Sequence, residues 1–100
     1  MDRIIHNELI TGTTVSGTFS SNTSPHLFGI MREVIVAPTQ DATTYDIVLT
    51  NDQSLISFRR TSQTGPIGIE TALPIKGVYT VKIENSTSDE LFKIQLGVDQ

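Results

Sequence analysis

Apolar and polar residues alternate with a period of two along most of this chain. The clearest case is Val78-Tyr79-Thr80-Val81-Lys82-Ile83, where Tyr79, Val81 and Ile83 fall on one side and Thr80 and Lys82 on the other. Successive side chains of a strand point to opposite faces, so this pattern predicts a half-buried β-strand. After a polar segment from Glu84 to Asp89, Phe92, Ile94, Leu96 and Val98 alternate with Lys93, Gln95 and Gly97, and the two runs together read as an antiparallel hairpin. The middle of the chain repeats the construction. Tyr45, Ile47 and Leu49 alternate with Asp46 and Val48, Asn51-Asp52 supplies turn chemistry, and Ile56 and Phe58 resume the apolar face of a second hairpin.

Between Leu27 and Val36 the phase of the alternation changes around Arg32-Glu33, which predicts a bulge or a bend, and Pro38 is expected to end that strand. Arg3 to Ile10 and Thr13 to Phe19 read as two further strands separated by Thr11-Gly12, followed by a Ser/Thr-rich loop from Ser20 to Pro25. Gly65-Pro66-Ile67-Gly68-Ile69 reads as a loop whose apolar residues, set between conformational breakers, either tuck under the sandwich or meet another chain, the tucked reading being favoured. Seven or eight short strands at this spacing are what two packed antiparallel sheets require. The expected fold is a single all-β sandwich domain over residues 1–100, jelly-roll-like or immunoglobulin-like. Strand order is not written in alternation, and the Cys and Trp markers of antibody domains are absent.

Composition agrees with the pattern: 33 of the 100 residues are Thr, Ile or Val, whose branched side chains fit a pleated surface better than a helix. A chain of this size buries roughly two thirds of the surface its unfolded form exposes. With no disulfide to add stability, oligomerisation is a natural supplement. The absence of cysteine and of an apolar run near the N-terminus predicts synthesis in the cytoplasm without a secretory signal. No run approaches the ~20 apolar residues of a helical membrane span. A net charge of −4, with seven basic residues scattered along the chain, gives no clustered positive field for a phosphate backbone, so nucleic acid is not an expected partner.

Candidate chemistry is thin. Ser24 and His26 with a nearby carboxylate would supply the parts of a nucleophilic triad, but a Ser-x-His spacing is expected by chance among nine serines, and His26 beside Pro25 reads as a loop residue. His6 reads as a sheet-edge residue. The acidic segments Asn85–Glu90 and Asn51-Asp52 lack the EF-hand pattern and read as turn-stabilising Asn, Asp and Ser. Two histidines and no cysteine give no zinc set. Asn22-Thr23-Ser24 and Asn85-Ser86-Thr87 match a glycosylation acceptor and read as turn composition. The chain is therefore expected to be non-enzymatic and without cofactor. Arg59-Arg60, at the end of a strand, reads either as an edge guard or as a contact to a partner.

An acidic, cysteine-free, threonine-rich β chain with an ending of the form Leu73-Pro74-Ile75-Lys76-Gly77-Val78-Tyr79-Thr80-Val81-Lys82-Ile83-Glu84-Asn85 resembles the small structural proteins of tailed bacteriophage virions, especially capsid decoration (cement) proteins. That resemblance implies a jelly-roll-like protomer, commonly a trimer, seated on the outer capsid surface and stabilising the shell against internal pressure. Its partner would be the major capsid protein or another virion protein. Adhesion of this kind works by pairing edges or an N-terminal arm with neighbouring chains. The expected contact residues are Ile4, Ile5, Leu9, Ile10, Leu27, Phe28, Arg59 and Arg60. Two other readings stand beside it. A carbohydrate-binding module would need an exposed aromatic, whereas Tyr45 and Tyr79 have core parity. A head-to-tail connector or tail component shares every feature named above.

Overall fold

The computed structural model describes residues 5–24 and 27–100, with eight strands and no helix among them: β1 Ile5–Thr13, β2 Phe19–Asn22, β3 Phe28–Pro38, β4 Thr44–Thr50, β5 Ile56–Thr64, β6 Ile67–Lys76, β7 Thr80–Glu84 and β8 Leu91–Asp99. They form two four-stranded antiparallel sheets, in the orders β1-β8-β3-β6 and β2-β7-β4-β5. The chain behaves as one long hairpin rolled up. β4 pairs with β5 at its tip, β3 with β6, β2 with β7, and β1 with β8 at its open end, with the four pairs dealt alternately between the sheets. This strand order is that of a jelly roll. An immunoglobulin arrangement would keep the first two strands in one sheet, whereas β1 and β2 lie in different sheets.

The alternation seen in the sequence is what fills the space between the sheets. Phe92, Ile94, Leu96 and Val98 from β8, Val34 and Val36 from β3, Tyr45, Ile47 and Leu49 from β4, and Val81 and Ile83 from β7 are all buried in one cluster. Tyr45 and Phe92 meet edge to face, with ring centroids 5.1 Å apart, an arrangement that suits aromatic quadrupoles. The phase change in β3 is a bulge, with the register shifting between Met31 and Glu33 against both neighbouring strands. Against β8 the extra residue is Arg32, which turns outward with its Nε 3.5 Å from Asp99 Oδ2, whereas against β6 the extra residue lies on β6, between Glu70 and Leu73. β3 ends at Pro38, where the sequence placed its end.

Three expectations are corrected. β7 and β8 do not form a hairpin: β7 pairs with β2 and β4, and β8 with β1 and β3. Their apolar faces meet the same core from opposite sheets, and alternation alone reads the same in either arrangement. The Gly65–Ile69 segment is a loop only at Gly65-Pro66, because Ile67 opens β6; Ile67 and Ile69 pack against the core, as the tucked alternative expects. The strand expected over Thr13 to Phe19 is displaced: β1 runs unbroken through Thr11-Gly12 to Thr13, and Ser20 to Asn22, expected as loop, belong to β2. Before it, Val15 and Thr18 exchange hydrogen bonds across a tight turn with positive φ at both Ser16 and Gly17.

Candidate functional site

Residues of the β1-β8-β3-β6 sheet that do not face the core form its outer surface, and cross-strand register arranges them in rows. One row runs Leu9, Gln95, Ile35, Gly68; the next runs Thr11, Lys93, Ala37; beyond that lies Leu91 opposite Thr13, while Phe28 opposite Lys76 lies at the other end of the sheet, past the Met31/Glu33 register shift. Leu9 is 63% exposed, Phe28 47%, Leu91 43% and Ile35 37%. Isolated exposed apolar residues are ordinary, but several on one sheet face mark a surface suited to contact with another molecule. At one end of this face Ala37, Pro38, Thr39, Leu91 and Lys93 line a shallow depression of about 330 Å³.

Strand directions gather four connections at that same end: residues 14–18, 39–43, 65–66 and 85–90. The β7–β8 crossover, residues 85–90, ties them together. Glu90 accepts hydrogen bonds from the Gln40 N–H (2.7 Å) and the Thr43 hydroxyl (2.6 Å), while Asp89 accepts from the backbone of Ser16 and Gly17. Asp46 accepts from the Ser62 N–H and the Asn85 side chain, both at 2.8 Å. The Tyr45 hydroxyl donates to Gly65 O at 2.8 Å. Gly65 has φ +68°, and a Cβ there would stand 2.6 Å from Asp41 O, so glycine is required at this junction.

These contacts set the titration of the end. Burial opposes charge on Glu90, but the hydrogen bonds from Thr43, Gln40, Ser88 and Thr39 outweigh it and hold the carboxyl below its usual value. The Ser62 N–H and the Asn85 amide, helped by nearby Arg59, hold Asp46 low against a smaller burial effect. Burial pushes the Tyr45 phenol up to about 12. The carboxylates are occupied in fastening loops, and among the described residues no three His, Asp or Glu side chains gather as metal ligands.

The expected contact residues separate into three groups. Leu9, Phe28, Arg59 and Arg60 are exposed. Ile10 and Leu27 are 6% and 1% exposed and belong to the protomer's own core, because each points inward between the sheets. Ile4 and the side chain of Ile5 lie outside the described residues, as do Pro25 and His26, so the Ser24/His26 pairing acquires no geometry; Ser24 N donates to Glu8. His6 lies on the edge strand β1, with Nε2 4.0 Å from Glu8 Oε1. Arg60 stacks 4.7 Å from the Phe58 ring centre, at the margin of the core. The sequence reading passed over Ile35 and Leu91; with β8 correctly placed beside β3, their outward parity would have assigned them to this face.

The acceptor-like triplets are engaged structurally. Asn22 accepts from Thr80, Thr23 Oγ1 accepts from the Tyr79 N–H, and Asn85 donates to Asp46. Neither any protein-family model nor any curated protein matches this chain.

Proposed function

We propose that this chain is a non-enzymatic structural protein of a tailed-phage virion, a decoration protein that lies on the outer capsid surface and reinforces the shell. The observation that carries the reading is the outer face of the β1-β8-β3-β6 sheet, where Leu9, Ile35, Leu91 and Phe28 are exposed on a scaffold cross-tied at its crossover end. A sheet face of this kind adheres by area rather than by chemistry, and repetition over a symmetric shell converts modest single contacts into secure attachment. The jelly roll is an architecture used by viral capsid and lectin domains alike. Tyr45 and Tyr79 are buried, which removes both tyrosines as stacking platforms for a sugar; the exposed ring of Phe28 is the aromatic that makes the glycan arm of the test necessary.

Co-sedimentation with empty, undecorated phage capsids tests it, with immobilised glycans as the parallel arm. The expected result is pelleting with capsids that is lost in Phe28→Ser and Leu91→Lys, both surface changes. Retention by glycans with no affinity for capsids overturns it.

A further inference from the structure

The rolled hairpin leaves four strand edges, β1 and β6 in one sheet and β2 and β5 in the other. An unguarded edge is a template for another strand, and native proteins blunt edges with short strands, bulges, proline and charge. Three of the four carry such devices. β2 is four residues long. β5 has two register shifts against β4, carries Arg59 and Arg60, and gives its Ser62 N–H to Asp46. β6 has Pro74 in its interior and a register shift opposite Met31/Glu33.

β1 differs. Its nine residues pair one to one with β8 from Ile5 to Thr13, with no shift, no proline and no Lys or Arg. Its charged residue, Glu8, is turned inward, a position that can blunt an edge, but its carboxylate is already held within the protomer by a hydrogen bond from Ser24 N. We infer that the β1 edge pairs with the β1 edge of a second copy of this chain, antiparallel and centred on Leu9, joining two four-stranded sheets into one of eight strands.

The sequence of β1 is self-complementary in that register. Leu9 faces Leu9 of the second copy, giving a 63%-exposed side chain an apolar partner, and Asn7 and Thr11 face each other on either side, both exposed and uncharged. On the inner side Glu8 meets Ile10 and His6 meets Gly12, so no like charges are opposed. A two-fold, isologous contact closes on itself and uses the edge up, which is how a β-sandwich hides a free strand. The dimer differs from the trimer that the phage resemblance implies, and it stands independently of the decoration reading.

Light scattering and sedimentation equilibrium of the purified chain without capsids test it. The expected mass is twice the 11.0 kDa of the protomer. Leu9→Lys, which sets two ammonium groups opposite one another, should weaken self-association by about ten-fold or more. Ile35→Lys, on the same face but two strands in from the edge, should leave it unchanged. Leu9→Cys should form an intermolecular disulfide under mild oxidation. A monomer or trimer at all concentrations overturns the inference. So does a dimer that survives Leu9→Lys, or one abolished by Ile35→Lys instead.

Discussion

The ring of Phe19 lies over Gly12, across the gap between β2 and β1, in the space that a Cβ on residue 12 would occupy. Gly12 points inward from an edge strand of one sheet and Phe19 inward from an edge strand of the other, so this contact closes the side of the sandwich where the sheets are not joined by backbone hydrogen bonds. Gly12→Ala forces the ring aside, and overpacking of this kind costs about 1–3 kcal/mol. Urea denaturation should show that loss. In the double variant Gly12→Ala/Phe19→Ala the two costs should be strongly non-additive, since the smaller side chain makes room for the added methyl.

Leu9 and Ile10 are neighbours in sequence on opposite faces of β1. Ile10→Ala removes a core side chain and should lower stability by about 2–5 kcal/mol, whereas Leu9→Ala should stay within about 0.5 kcal/mol for the protomer. Thermal unfolding of Leu9→Ala and Ile10→Ala at equal, low concentration separates the two roles.

Tyr45 is held neutral by burial, with its phenol pushed up to about 12 from an ordinary 10.0. A group whose folded value is raised contributes stability that is whole below its unfolded value and is lost as pH rises through the folded one. Stability should therefore decline between pH 10 and about 12. Tyr45→Phe should flatten that decline, at a cost near neutrality of about 1 kcal/mol for the lost hydrogen bond to Gly65. Unfolding curves across that range, wild type against variant, read both effects.

Asp46 and Glu90 carry the opposite sign. Their carboxyls titrate low in the fold, so their contribution is present above the ordinary carboxylate range and disappears as pH falls through the lowered values. Acid should loosen the crossover end first, because Asp46 and Glu90 fasten the β5 bulge and residues 39–43 there. Hydrogen exchange at stepped low pH should reveal early loss of protection at Gln40 and Ser62, ahead of core amides such as Ile94. Glu90→Gln should lower stability at neutral pH and reduce its acid dependence.

Alternation by itself determined the composition of the core and the class of the fold. Tyr79, Val81 and Ile83, the Phe92–Val98 series and Tyr45–Leu49 are buried as their parity requires, because a strand's two faces are set by local geometry whatever its neighbours. The bulge near Arg32 was legible for the same reason, as a slip of that parity. Of the expected contact residues, Leu9 and Phe28 lie exposed on the outer face, while Ile10 and Leu27 are buried in the protomer's core; in the regularly paired β1, parity with Leu9 already sets Ile10 on the opposite face. Tertiary structure alone decided which strands are neighbours, and so placed β7 and β8 in different sheets, brought Ile35 and Leu91 onto one surface, and stationed Glu90 and Asp46 as loop fasteners. Backbone pairing is chemically the same for every strand, so neighbours are chosen by how the whole rolled hairpin fills its core, a property of no single segment.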